Sequence, residues 1–130
     1  MLELVFIGTK GWEIIEEVKH RKEDIIIRKD RFSAFFNTNL ENVLKDLKVD
    51  TLILCEILTN NCVRATAEDA YYRNYKLILV SDCCGATSYV KEYTHEEVHR
   101  FTLEELKERT YKTKVVKLNS LFRSIEKDVR

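Results

Sequence analysis

Apolar positions along this chain fall into short unbroken runs rather than strict alternation, with amphipathic stretches between them. Leu2–Ile7, Asp24–Arg28 with its three consecutive isoleucines, Thr51–Ile57, Leu77–Ser81 and Val115–Leu118 read as strands, because aliphatic and β-branched runs suit a buried sheet. Trp12, Ile15 and Val18 share one face of a short helix. Leu40, Val43, Leu44 and Leu47 keep helical spacing behind a Thr38–Glu41 capping box. Cys62–Arg73 forms a helix with Val63, Ala67, Ala70 and Tyr71 on one face. Thr102 is expected to cap another helix, and Ser120 a final one with Leu121, Phe122, Ile125 and Val129 turned inward. Strands without alternation are covered on both faces. The fold expected is therefore α/β, a Rossmann-like parallel sheet with helices on both faces. In such sheets ligands bind at the carboxyl ends of the strands, which directs attention to the turns after Arg28, Ile57 and Ser81.

The length, 130 residues, suits one domain spanning residues 1–130. With 22 basic and 22 acidic side chains the net charge is zero, so no electrostatic argument favours nucleic acid or an anionic membrane as a partner. No apolar run approaches the roughly 20 residues of a membrane span, and Met1–Phe6 lacks the form of a secretory signal. A cytoplasmic location is expected. The four cysteines, Cys55, Cys62, Cys83 and Cys84, have neither zinc-site spacing nor the setting of a disulfide scaffold. Cys55, inside an apolar run, reads as a small buried hydrophobe. Cys83 and Cys84 read as two small buried residues at a strand end rather than a redox pair. His95 and His99, one helical turn apart, read as a solvated face, because no third metal ligand is evident.

One cysteine stands apart. After Ile57 the chain runs through the capping residues Thr59-Asn60-Asn61 to Cys62, in the first turn of a helix. The unpaired N–H groups and positive dipole end there favour a thiolate. They also suit an oxyanion formed when that thiolate attacks a carbonyl carbon. The same position equally suits a buried structural cysteine. Lys29 ends the Asp24–Arg28 run, where its ammonium could lower the thiol pKa or simply be solvated.

These segments, in order, resemble the isochorismatase-like cysteine hydrolases, which include nicotinamidases and N-carbamoylsarcosine amidases. Gly8-Thr9-Lys10-Gly11-Trp12-Glu13-Ile14 resembles the family's GTxGxEI segment, and Lys29 to Leu40 its KxxxSAFxxTxL segment. Thr59-Asn60-Asn61-Cys62-Val63-Arg64-Ala65-Thr66-Ala67-Glu68-Asp69-Ala70 resembles TNxCVxATAxDA, and Asp82-Cys83-Cys84-Gly85-Ala86 occupies the place of DAxAA. The resemblance implies that Cys62 is the nucleophile and Lys29 its catalytic partner. It implies oxyanion stabilisation by the N–H groups of Cys62 and Leu58, beside a cis peptide at Ile57–Leu58. It also places Phe35, Thr59 and Asn60 near a small-molecule amide substrate, which would be cleaved through a thioester.

Two departures stand out. The family's catalytic aspartate lies on an N-terminal strand, whereas Met1–Ile7 holds only Glu3. The chain thus resembles the C-terminal two-thirds of the family domain, truncated at its N-terminus. The same missing stretch carries the nicotinamidase metal ligands, so neither a metal nor any other cofactor is expected. Glu56 stands where the family usually has glycine, and would oppose thiolate formation if it points inward. The truncation leads us to expect a homo-oligomer, or a separately encoded N-terminal fragment that supplies the aspartate. The alternative is an inactive family remnant with a structural or oligomerising role.

Overall fold

A computed structural model describes residues 10, 13–110 and 113–128; the expected strand Leu2–Ile7, together with Trp12 and Val129, lies outside them. Three parallel strands, β1 (Thr51–Leu54), β2 (Lys76–Val80) and β3 (Thr113–Val116), pair in the order β1-β2-β3. Leu52 stands opposite Leu77, and Leu79 opposite Leu54 and Val115. Around them run α1 (Leu40–Asp46), α2 (Arg64–Tyr72), α3 (His95–Arg109) and α4 (Leu118–Asp128).

This is the parallel α/β architecture that the uninterrupted apolar runs imply. Leu77 and Leu79 point to one face, because side chains alternate along a strand. There they pack with Ala67 and Ala70 of α2, and with Leu103 and Leu106 of α3. Removing each leucine fully from water contributes about 1.5–3 kcal/mol. The opposite face is more open: Ile53 is 48% exposed, Ile78 is half-buried and Lys114 is exposed.

Several local expectations are corrected. Asp24–Arg28 forms no strand: it has no ladder partner among the described residues, and Ile25 and Ile26 are exposed. β-branched side chains alone do not make a strand when the backbone has nothing to pair with. Thr38 does not build a capping box: its hydroxyl donates to the Ala34 carbonyl at 2.6 Å and accepts from the Leu40 N–H at 3.3 Å, not from that of Glu41. Glu41 is instead drawn to Lys45 and Arg73. The capping box lies at Thr94 and Glu97, eight residues before Thr102, so α3 starts earlier and Thr102 is buried within it. At α4 the N-terminal cap is Asp82, whose carboxylate accepts the Leu118 N–H at 2.9 Å, rather than Ser120. Phe122 and Ile125 on that helix are exposed rather than turned inward. Cys55 is also exposed, lying just beyond the end of β1, where the chain has left the sheet. Cys83, in the 3-10 turn Ser81–Cys83, is exposed too, while Cys84 is half-buried.

Candidate active site

The loop after Lys29 is fastened to α2 by side chains spaced one helical turn apart. The Ala34 N–H donates to Thr66 Oγ1 at 3.0 Å, and Ser33 Oγ donates to the Asp69 carboxylate. Arg73 pairs with Asp69 at 2.9 Å and with Glu41 at 3.0 Å, and its guanidinium lies 4.9 Å from the centre of the Phe35 ring. Thr66, Asp69 and Arg73 fall at i, i+3 and i+7, on one face of a helix. That face holds residues 33–38 in place and delivers Lys29 to the end of the sheet.

The turn that carries Cys62 is locked to the next strand end. The Gly85 N–H donates to the Ile57 carbonyl at 2.9 Å, and the Thr59 N–H donates to the Gly85 carbonyl. A side chain at Gly85 would come within 3.3 Å of the Ile57 oxygen, so glycine permits this approach. Thr59 is fully buried; its hydroxyl donates to the Gly85 carbonyl and lies 2.7 Å from Nδ1 of His99. His99 Nε2 donates to the Ser81 carbonyl at 3.1 Å. Asn60 exchanges hydrogen bonds with both backbone groups of Thr87. Beyond Leu58 the backbone widens into a π turn over Thr59–Val63 that continues into α2. Cys62 therefore sits inside this turn instead of opening an ordinary α-helix. Ile57 and Thr59 use their backbone groups towards Gly85, so those of Leu58 face the other way. There its carbonyl accepts from the Asn61 and Val63 N–H groups.

Lys29, Glu56 and Cys62 come together at this strand end. Lys29 Nζ lies 3.4 Å from Glu56 Oε1 and donates to the carbonyls of Arg31 and Phe32. The charges of both side chains act on the half-buried Cys62 thiol. Burial is the largest influence on the thiol and pushes its pKa up; Glu56 pushes the same way, and Lys29 opposes them. The expectation of a thiolate lowered by the helix end and Lys29 is thus corrected. The inward-facing Glu56 cancels much of the lysine's charge, and an apolar setting favours the neutral thiol.

The remaining sequence-based site residues are placed as follows. The Ile57–Leu58 peptide, expected in cis, is trans: no cis peptide occurs among the described residues, and Leu58 is extended. A non-proline cis bond costs about 3 kcal/mol, and the Gly85 bridge forms without it. Phe35 is a core residue stacked on Tyr75; Phe32 and Phe36 are the exposed aromatics of its loop. Thr59 and Asn60 direct their polar groups into the fold. His99 joins two strand-end turns, through Thr59 and Ser81, instead of lining a solvated face; its partner Thr59 is 40 residues away, a contact that no local pattern announces. Among the described residues no three His, Cys, Asp or Glu side chains converge to hold a metal, and no helix is long and apolar enough to cross a membrane.

Comparison with known proteins adds a second line of observation. A family model described as the isochorismatase domain matches residues 3–116. The chain is 33% identical over 103 residues to the ureidoacrylate amidohydrolase RutB of Acinetobacter baylyi, covering 78% of this chain but only 40% of that relative. Among solved structures it is similar to a cysteine hydrolase from Pseudomonas syringae, with a TM-score of 0.84 and 32% identity over 93% of this chain and 58% of that one. It is also similar to N-carbamoylsarcosine amidase from Thermoplasma acidophilum, with a TM-score of 0.69 and 31% identity over 85% of this chain and 57% of that one.

Proposed function

The chain belongs to the isochorismatase family of hydrolases, and on that premise we propose that it cleaves a small amide through a thioester on Cys62. The observation that carries this reading is Cys62 in the turn beyond β1, with the Lys29 charge acting on its thiol against the rise of its pKa. The sulfur attacks the amide carbon, the backbone N–H groups of Cys62 and Leu58 receive the developing oxyanion, and the amine leaves. Water then cleaves the thioester and frees the thiol. The names of the relatives, an amidohydrolase and a carbamoyl-amine amidase, support an amide or carbamoyl nitrogen as leaving group.

A second reading, a subunit without activity, draws on one observation, the upward shift of the Cys62 thiol. Incubation with a panel of small primary amides and N-carbamoyl amines separates the two. Release of amine that is abolished in Cys62→Ala, with an acyl adduct trapped on Cys62 by mass spectrometry, is the expected result. Absence of both product and adduct across the panel favours the inactive subunit.

A further inference from the structure

We propose that His99 is the positioning residue of the cysteine turn, holding it through Thr59 by donating hydrogen bonds from both ring nitrogens at once. This rests on the reading of Cys62 as nucleophile and says what keeps that nucleophile's turn in place.

Counting hydrogens fixes the direction of each bond. The Ser81 carbonyl can only accept, so His99 Nε2, 3.1 Å away, carries a hydrogen. The Gly85 carbonyl can only accept as well, and both the N–H and the hydroxyl of Thr59 donate to it. Thr59 has one hydroxyl hydrogen, and that bond uses it. Nδ1 of His99, 2.7 Å from the same oxygen, is therefore a donor too. A ring that accepted at Nδ1 would take the hydroxyl hydrogen away from Gly85. Two oxygens in hydrogen-bonding contact would then face each other with no hydrogen between them.

The elements show what these bonds hold. His99, Leu103 and Leu106 fall at i, i+4 and i+7 of α3, so the buried leucines that seat the helix on the sheet also aim the ring at the strand ends. The capping box of Thr94 and Glu97 fixes the start of this helix. His95, one turn before His99, is exposed. Thr59, fully buried, directly follows Leu58 and is the first residue of the π turn that carries Cys62. Such turns are rare backbone forms. This one is tied at its first residue by three hydrogen bonds, two to Gly85 and one from His99. A reacting group keeps its geometry best when a rigid element supports it, and His99 links a long, capped helix to the turn of the nucleophile.

The test uses the whole chain and its His99→Gln, His99→Asn and Thr59→Val variants. Three readouts run in parallel: NMR of the ring N–H groups, hydrogen exchange of the Thr59 and Gly85 amides, and acetylation of Cys62 by para-nitrophenyl acetate, located by mass spectrometry. In the wild type at neutral pH both His99 nitrogens should bear a hydrogen. In Thr59→Val, Nδ1 has no acceptor and should lose its own. An asparagine amide can stand in for Nδ1, and a glutamine amide for Nε2. His99→Gln should therefore release the Thr59 end. Both amides should exchange about 10-fold faster, the effect of one lost hydrogen bond. Acetylation should slow in kcat rather than KM, by up to about 100-fold for a displacement of about 1 Å. His99→Asn should recover part of both effects, an order that mere loss of the ring would not produce. A wild-type ring bearing one hydrogen, or a His99→Gln variant whose exchange and acetylation match the wild type, overturns the proposal. Wild type whose Cys62 takes no acetyl group overturns the nucleophile reading alone; the ring spectra and amide exchange still decide whether His99 holds the turn.

Discussion

At the scale of single residues the site turns on competing influences on one sulfur. Burial and Glu56 raise the Cys62 pKa, whereas Lys29 lowers it, and the first two prevail. Alkylation of Cys62 should therefore rise with a midpoint above the ordinary thiol value of about 8.5. Lys29→Met should move that midpoint higher still, because the one favourable charge is lost. Midpoints read from the pH dependence of iodoacetamide labelling, with the modified residue located by mass spectrometry, check both. The same shift links to stability. A thiol raised in the fold is neutral there when the unfolded chain has already ionised, so its contribution is complete below the unfolded value and is lost as pH climbs through the folded one. Denaturation midpoints should accordingly decline on the alkaline side. Cys62 stood out in the sequence as a cysteine behind capping residues, and Lys29 as the cation ending the Asp24–Arg28 run, which forms no strand. The sign of the sulfur's shift was not legible, because it depends first on how far the fold buries the thiol and then on the charge of Glu56, which pairs with a lysine 27 positions earlier in the chain.

At the scale of elements, local patterns were informative where the interaction is local and failed where it is not. The runs Thr51–Leu54 and Lys76–Val80 are strands because aliphatic side chains meet two helices. Asp24–Arg28 carries a comparable aliphatic run and joins no strand ladder among the described residues. Thr38–Glu41 matches the capping-box pattern, yet Arg73, far along the chain, competes for the glutamate. Helix ends show the same point. Both α1 and α2 close in Schellman turns: Val49 N–H donates to Leu44 and Lys48 N–H to Lys45, while Tyr75 N–H donates to Ala70 and Asn74 N–H to Tyr71. The left-handed positions are Lys48, with φ of 56°, and Asn74, with φ of 67°. Asparagine tolerates that conformation, whereas lysine is strained in it. Lys48→Gly should stabilise the fold by up to about 1 kcal/mol, and Asn74→Gly by less. Urea denaturation of the two variants measures the difference; a destabilised Lys48→Gly would show that its side chain makes a contact outweighing the strain.

At the scale of the whole molecule, the distribution of apolar surface leaves one side of the sheet open. Ile53 is 48% exposed on the face opposite α2 and α3, and β1 pairs on one side only among the described strands. Ile25 and Ile26 are 55% and 48% exposed, and Ile26 lines an open groove running on from Lys29 between Ile14 and Asn39. Phe122 and Ile125 add a second exposed stripe on α4. An edge strand with an uncovered apolar face is a template for pairing. The chain spans 40% of the Acinetobacter relative, and 58% of the Pseudomonas structure that it otherwise follows closely. We therefore expect concentration-dependent association. Light scattering should give a mass above that of one chain at micromolar concentrations, and Ile53→Lys, which puts a charge on the open face, should return it toward the monomer. A wild-type protein that stays monomeric under those conditions would remove self-association as the means by which the sheet is covered. Attention would then pass to a separately encoded fragment, whose binding to β1 should slow hydrogen exchange along Thr51–Leu54.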